Sequence, residues 1–309
     1  MGWNGSLSAS SAVGSVVTFT PDTASEGAYT VTAFTAPKKA VYRFLIKGSG
    51  GTYNGYHDDG ISASGGTGGT TTGYLLLEAG QTVYVGAGGP CSAAFVSKVT
   101  GNKLSAIAQD DLYFVAGGGG GGGAMWGQQW NMKASPGGNG GGSSGVSGSG
   151  GGGIGTGGAG GTQTGGYAYG AGGGGGYSNE NDTSHHAGRG GDGLYGGKGA
   201  TGAAGGGGGS GYVYSASLTV GNHTYTSETV QGGGAGSHSA GSVAVTYYAD
   251  AELPVSFNGV KIMEIFFNGT KVEHLVYNGA ALFVHTLKRG MTALKRFLRA
   301  SPCLKEAVA

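Results

Sequence analysis

The stretch from Gly117 to Gly211 limits what this chain can become more than any other. It opens with seven consecutive glycines, Gly117 to Gly123, and continues through Gly137-Gly138, Gly140 to Gly142 and Gly150 to Gly153. Two five-glycine runs, Gly172 to Gly176 and Gly205 to Gly209, dominate its second half. Each ordered glycine costs about 0.5–1 kcal/mol relative to alanine, because its backbone loses more freedom on folding than that of any other residue. Two states are open to such a tract: a disordered linker, or an ordered structure that needs the absence of Cβ.

Composition bears on that choice. Disordered segments combine low hydrophobicity with high net charge. Here the formal net charge is +1, charged residues are 11%, apolar residues 38%, and the 309-residue chain carries 17 Tyr, 10 Phe and 3 Trp. It is too aromatic and too uncharged for an ordinary solvated linker. Near-zero net charge also provides no general attraction to nucleic acid or to a membrane surface. Two distant cysteines, Cys91 and Cys303, exclude a disulfide framework or a zinc cluster. The N-terminus has neither a basic nor an apolar region, so no signal peptide is expected. Met1-Gly2 with Ser6 fits the myristoylation pattern, a match that chance explains. No apolar run approaches the ~20 residues a membrane-spanning helix needs. A chain of this kind working outside a cell would leave by lysis or inside a particle.

Around the glycine zone the pattern is β. Residues 1–27 form an N-terminal arm with one short strand through Val13, Val16, Val17 and Phe19. Alternation then predicts a strand from Tyr29 and another over Ala40 to Lys47, separated by Pro37. A strand pair, Gly73 to Gly80 and Gln81 to Gly86, is expected around a tight Ala79-Gly80 turn. Ala93 to Val99 and Leu112 to Ala116 follow, the latter running straight into the seven glycines. Beyond the zone, Tyr212 to Tyr214, Leu218 to Val220 and Ser242 to Tyr248 return to strand character. No segment before residue 250 has a helical period. Residues 28–249 read as one glycine-rich β domain.

A composition break at Ala249-Asp250 opens a second module over 250–285. Phe257-Asn258-Gly259, Phe267-Asn268-Gly269 and Tyr277-Asn278-Gly279 recur at a ten-residue spacing. Asn-Gly between apolar segments signals a two-residue hairpin turn, in which both residues take positive φ. The repeat predicts a small β-meander or stacked β-repeat, and its aromatic residues favour self-association. In the basic C-terminal segment 286–309, Leu287, Met291, Leu294 and Leu298 form a helical stripe that ends before Pro302. That helix packs or oligomerises in one reading, and meets a membrane or acidic partner in another.

Several explanations compete for the glycine itself. Collagen needs Gly-X-Y with abundant proline, and only six prolines are present. Arginine–glycine nucleic-acid segments need repeated arginines, and Arg189 is nearly alone. Dinucleotide-type G-x-G-x-x-G matches follow from glycine density alone. Polyglycine II remains. It has three residues per turn, a rise of ~3.1 Å and outward-pointing N–H and C=O groups that parallel rods can satisfy on all sides.

The order of motifs is specific. Gly73-Tyr-Leu-Leu-Leu-Glu-Ala-Gly-Gln-Thr-Val-Tyr-Val-Gly-Ala-Gly-Gly89 precedes Leu112-Tyr-Phe-Val-Ala-Gly-Gly-Gly-Gly120, a long glycine zone, and Gly241-Ser-Val-Ala-Val-Thr-Tyr247. Over residues 28–249 this resembles the glycine-rich domain of bacterial and bacteriophage surface proteins, related to that of anaplastic lymphoma kinase-type receptors. The resemblance implies an all-β fold: a β-sandwich with an inserted polyglycine II helix bundle, followed by the small β-repeat and a short C-terminal helix. Asn268-Gly-Thr-Lys-Val272 is similar to a repeat of phage and prophage tail proteins. The implied function is a tail-tip or tail-fibre adhesin of the virion that binds a host-surface glycan or protein. Other tail proteins and further copies of the chain would be its partners, with a trimer expected by analogy with fibres. A structural virion or cell-surface assembly protein is the alternative, and an elastic disordered wall protein a third reading.

On a glycine scaffold, recognition would fall to the loops between rods. The candidates are Tyr53 and Tyr56 in the Tyr53–Asp59 loop, Trp126 and Trp130 in the Met125–Met132 loop, Tyr167 and Tyr169, and Tyr177, Asn179, His185 and His186 in the Tyr177–His186 loop. Rings beside amides, carboxylates and imidazoles suit glycan or protein surfaces. Trp126 and Trp130 would alternatively cap the glycine lattice. Asp182 with His185-His186 suggests a metal site, but adjacent histidines point apart, so no metal or other cofactor is expected. Asp58-Asp59, Asp110-Asp111, Glu180 and Asp182 lie in turn-like contexts. An acid pair of a polysaccharide depolymerase, with carboxyls ~5–10 Å apart, has no sequence signature here, and no enzyme is expected.

Overall fold

The computed structural model describes residues 2–22, 25–52, 61–125, 134–150, 155–175, 177–179, 182–221 and 223–251, together with the paired strands of three short hairpins between 256 and 281. The chain divides into two compact units, Met1–Ala251 and Glu252–Ala309. The fold is all-β. Among the described residues the only helical turns are two 3-10 turns, Leu104–Ala106 and Gln109–Asp111.

The strands of the first unit are β1 (Trp3–Asn4), β2 (Val16–Phe19), β3 (Tyr29–Thr35), β4 (Ala40–Lys47), β5 (Ile61–Ser62), β6 (Thr70–Leu77), β7 (Thr82–Gly88), β8 (Ala94–Ser97) and β9 (Leu112–Ala116). They continue as β10 (Ala124–Met125), β11 (Tyr177–Asn179), β12 (Asp182–His186), β13 (Tyr212–Val213), β14 (Ser217–Val220), β15 (His223–Thr226), β16 (Glu228–Val230) and β17 (Ser242–Asp250). One antiparallel sheet runs β1-β2-β17-β4-β6-β16 and a second runs β13-β9-β8-β7-β3. Both contribute to one apolar core. The first sheet sends in Phe19, Tyr42, Phe44, Ile46, Val243 and Val245, and the second Phe34, Val83, Val85, Val96 and Phe114. Period-two alternation is clean along β4, which buries Tyr42, Phe44 and Ile46 and leaves Arg43, Leu45 and Lys47 half-buried on the other face.

The local turn between β6 and β7 was expected to close a hairpin, and it does not. β6 pairs with β4 from Ala40↔Leu77 to Lys47↔Thr70, while β7 pairs with β3 from Thr35↔Thr82 to Tyr29↔Gly88. The β3–β4 and β6–β7 connections are therefore corners that carry the chain from one sheet to the other. The two corners bond to each other, Ala36 N–H to Gln81 O at 2.9 Å and Gly80 N–H to Ala36 O at 2.8 Å. A Lys39–Glu78 ion pair at 2.8 Å lies across them, and Gly80 takes φ +79° in the turn.

Between the strands the glycine-rich segments are ordered by main-chain bonds that repeat every third residue. Along Gly117–Gly123, the N–H groups of Gly118 and Gly121 donate to Asp192 and Arg189, those of Gly119 and Gly122 to Ser49 and Thr52, and those of Gly120 and Gly123 to Gly138 and Ser135. Its carbonyls accept from Gly69, Gly66 and Ala63 on one side and from Gly209 and Gly206 on another. Segment 204–211 is enclosed further. It donates to residues 142–149, 118–121 and 195–198, and accepts from residues 158–161, 138–141 and 188–194. Six neighbours thus surround it, and all of residues 204–211 are buried. The approach is too close for side chains. A methyl on Gly206, Gly207, Gly208 or Gly209 would fall on the carbonyl oxygen of Arg189, Ala159, Asn139 or Asp192, nearer than any real Cβ comes.

Position in this array sets the sequence. The enclosed segments are glycine at nearly every position, whereas outer segments read Gly-Gly-X. In Ser64-Gly-Gly-Thr67-Gly-Gly-Thr70 the four glycines are buried and the intervening side chains reach the outside. Tyr195-Gly-Gly-Lys198 follows the same rule, and in Pro136-Gly-Gly-Asn139 and Thr156-Gly-Gly-Ala159-Gly-Gly-Thr162 the glycines are buried or half-buried while Pro136, Asn139, Thr156, Ala159 and Thr162 are exposed. The main-chain bonding repeats every third residue, and in these segments the more exposed position at that period is the one that carries a side chain.

The second unit contains β18 (Ser256–Phe257), β19 (Val260–Lys261), β20 (Ile265–Phe267), β21 (Thr270–Val272), β22 (Val276–Tyr277) and β23 (Ala280–Ala281). They form three separate two-stranded hairpins, β18–β19, β20–β21 and β22–β23, each leaving two residues, Asn-Gly, between its strands. The expected helix over 286–300 lies outside the described residues.

Candidate functional site

Three neighbouring glycine segments become strands at one end of the array. Residues 117–123 run directly into β10, residues 63–69 follow directly on β5, and β12 runs into Ala187 and Gly188. The Ala63 N–H to Gly123 O bond, 3.0 Å, passes without a break into the pairing Ala124↔Ser62. The result is a four-stranded sheet ordered β11-β12-β10-β5.

Register fixes what this sheet presents. Met125 pairs with Ile61 on one side and His185 on the other, and both pairings are antiparallel. Met125, Ile61 and the Asn179↔Asp182 pair of β11 and β12 therefore lie toward the same end of the sheet. These described residues flank or belong to three of the four aromatic stretches singled out in the sequence, although they lie more than 100 residues apart along the chain at their extremes. Tyr53, Tyr56, Trp126 and Trp130 themselves lie outside the described residues. Tyr177 and Asn179 are on β11, and His185 and His186 on β12. His186 lies in the row Tyr177↔His186↔Ala124↔Ser62 and His185 in the row His185↔Met125↔Ile61. Burial holds the His186 imidazole below the usual histidine range.

The fourth candidate pair lies elsewhere. Tyr169 bridges to Tyr195, donates its hydroxyl to the Ile107 carbonyl at 2.7 Å, and packs on the second apolar cluster of Phe95, Leu104, Ile107, Leu112 and Leu194. Burial, with Tyr195, Tyr212 and Asp110 nearby, pushes its phenol up to about 12. Tyr167, two residues away, is 59% exposed.

No protein-family model matches the chain, and none of the curated proteins matches it. Among the described residues no helix is long and apolar enough to cross a membrane, and no group of three His, Cys, Asp or Glu side chains is placed to hold a metal ion.

A buried polar cluster that the sequence reading missed surrounds Asp192. The Asp192 carboxylate accepts from Tyr29 Oη at 2.8 Å, from Gly172 N–H at 2.8 Å and from Arg189 Nη2 at 3.0 Å. Arg189 also faces Glu26 at 3.6 Å, and Tyr29 Oη accepts from Ala93 N–H at 3.0 Å. Burial pushes the Asp192 carboxyl up against the opposing pull of Arg189, and raises Tyr29 well above the usual phenol range. Beside them Cys91, with φ +63°, is fully buried, accepts from Thr52 N–H at 3.3 Å, and has its thiol pushed up to about 11 by burial. This cluster ties β3 to the glycine segments 171–175 and 188–193, which carry β11 and β12. Its members Arg189-Gly-Gly-Asp192 obey the Gly-Gly-X spacing, and that spacing is the signal that would have marked them.

Proposed function

We propose that this chain is a bacteriophage tail-tip or tail-fibre adhesin. In this reading a β-sandwich carries an inserted bundle of polyglycine II rods, and loops at one end of the rods bind a glycan or protein of the host surface. The observation that carries it is the four-stranded sheet formed by β11, β12, β10 and β5. Its described residues Met125, Ile61, Asn179 and Asp182 flank or belong to three aromatic-rich stretches of the sequence, beside a scaffold held by main-chain bonds on every side. The polyglycine II reading is supported by the three-residue bonding repeat of 117–123 and 204–211 and by the Gly-Gly-X outer segments. A rigid platform lowers the ordering cost of binding, which is where affinity is otherwise lost. Aromatic residues beside Asn, Asp and His supply stacking area and orientation.

The test is cell binding. The labelled full-length chain is expected to bind susceptible bacteria saturably, and the double variant Trp126→Ala/Trp130→Ala to lose that binding while its thermal unfolding is unchanged. Absence of saturable binding by the native chain would sink the adhesin reading and leave that of a structural virion component. If the two tryptophans cap the lattice instead, the double variant would unfold at a lower temperature.

A further inference from the structure

We propose that the outer face of the first sheet binds a carboxylated sugar, a uronic acid residue of a polysaccharide, with Arg43 as the anchor beside Tyr74, Tyr225 and Tyr248. This site lies on the strands of the sandwich. It depends neither on the aromatic loops nor on the tail-tip reading.

Alternation and register bring the residues together. On β4, Tyr42 and Phe44 enter the core, so Arg43 lies on the opposite face. It pairs with Tyr74 on β6 and with Thr246 on β17, and residues paired directly across a ladder share a face. The register of β17 against β4 shifts between Tyr247 and Ala249, which leaves Tyr248 without a partner on β4. Tyr247 is buried in the core and Tyr248 is half-buried, the kind of re-aiming a bulge produces. The Tyr248 ring centroid is 5.6 Å from Arg43 Cζ and 5.1 Å from the Tyr74 ring, which it meets edge-on. Hairpin β14–β15 adds Tyr225, stacked on Tyr74 at 5.4 Å and 5.7 Å from Tyr248.

The guanidinium in this cluster lacks an anion. Arg189, the other arginine of the sandwich and its glycine array, faces both Asp192 and Glu26. Arg43 has no carboxylate within ion-pair distance among the described residues. Its Nε is buried and has no hydrogen-bond partner. Its Nη2 donates to Thr246 Oγ1 at 3.5 Å, longer than a normal hydrogen bond. Nε and Nη2 form the edge of a guanidinium that takes both oxygens of a carboxylate at once. An unmade buried donor is a cost the fold retains, and a ligand oxygen that reaches Nε removes it.

Charge and shape select the ligand. The row Thr246–Arg43–Tyr74 holds a single cation, which matches a carboxylate better than a phosphate monoester carrying close to two charges. Half-buried tyrosines beside it supply ring surface and hydroxyls, the combination that suits a sugar ring. Burial and then Tyr248 raise the Tyr74 phenol, against the pull of Arg43, so its hydroxyl stays protonated and able to donate.

The experiment titrates the full-length chain by calorimetry with cellobiouronate, its methyl ester and cellobiose, and with acetate, trialanine and inorganic phosphate. Saturable binding of cellobiouronate is expected, with the ester, the neutral sugar and the three small anions roughly tenfold or more weaker. Arg43→Lys keeps the charge but loses the two-donor edge, and should weaken cellobiouronate roughly tenfold. The acid–ester comparison uses the native chain, so it decides the matter even where Arg43→Lys lowers the unfolding temperature. Absence of cellobiouronate binding would overturn the inference. So would equal binding of the ester, or binding of acetate, trialanine or phosphate as tight as that of the sugar acid. Undiminished binding by a folded Arg43→Lys chain would overturn it as well. Cell binding by the double tryptophan variant reads the loops alone, so either result can fail without the other.

Discussion

Replacing Gly118 by alanine separates an ordered glycine array from a linker by the sign of its effect. A methyl built on Gly118 lies 2.6 Å from the Cys91 carbonyl oxygen and 2.7 Å from that of Ser92. Carbon–oxygen contacts settle no closer than about 3.3 Å, so the two backbones must part by roughly 0.7 Å. That motion acts on short bonds. Gly209 N–H to Gly118 O is 2.9 Å, and Gly118 N–H to Asp192 O and Asp192 N–H to Cys91 O are both 2.7 Å. Adding roughly 0.7 Å takes these bonds to about 3.4–3.6 Å, at or past the useful limit. Two weakened buried main-chain bonds at about 1–3 kcal/mol each give roughly 2–6 kcal/mol. Removing glycine's freedom from the unfolded chain returns only about 0.4–1 kcal/mol. The net expectation is a loss of about 1–5 kcal/mol, or roughly 2–20 °C in Tm for a unit of this size. Gly174 is the control, since nothing lies within 4 Å of a methyl placed there and its φ is ordinary. Gly174→Ala should be neutral or stabilise by up to about 1 kcal/mol. Thermal and urea unfolding of both variants, followed by near-ultraviolet circular dichroism, decides the matter. Equal, small effects would refute the close-packed array, because in a linker both substitutions act only through the unfolded chain.

Other expectations follow from particular contacts. Asp192→Asn removes the carboxylate charge beside Arg189 and leaves Glu26, at 3.6 Å, as its one ion-pair partner among the described residues, and should cost about 3 kcal/mol, measured by chemical denaturation. His186 binds its proton less readily folded than unfolded, so stability should be full above the ordinary histidine pKa of about 6.5 and fall as pH drops below it. His186→Gln should flatten that part of the stability–pH curve, and an unchanged curve would count against burial as the cause. Tyr169→Phe removes the bond to the Ile107 carbonyl and should cost about 1 kcal/mol without altering cell binding, whereas Tyr167→Ala should leave stability unchanged.

The strands were legible because alternation is a local property. Ala40 to Lys47, Leu112 to Ala116 and the strand through Ser242 to Tyr248 all read correctly from which residues turn inward. Partners were not legible. Glu78-Ala79-Gly80-Gln81 makes a turn, with Gln81 N–H to Glu78 O at 3.0 Å, whether its flanking strands pair or part. What separates them is the bonding of Leu77 to Ala40 and of Thr82 to Thr35, which no window around the turn contains. The glycine zone was legible as a choice between two states, but the order of its segments lies in backbone bonds that leave no side-chain trace. The aromatic loops were visible in composition. The sheet beside them depends on the two-residue strands Ile61–Ser62 and Ala124–Met125, too short to carry a pattern.

The Gly-Gly-X outer segments give this array something like a reading frame. In the polyglycine II reading, three residues added to or removed from such a segment advance it by one whole turn, and each X returns to the outer face. One or two residues would rotate it by one or two thirds of a turn and drive a side chain inward among carbonyls that leave no space. Length variation in the outer segments should therefore be tolerated in threes, a constraint that alignments of β-strand lengths would never reveal.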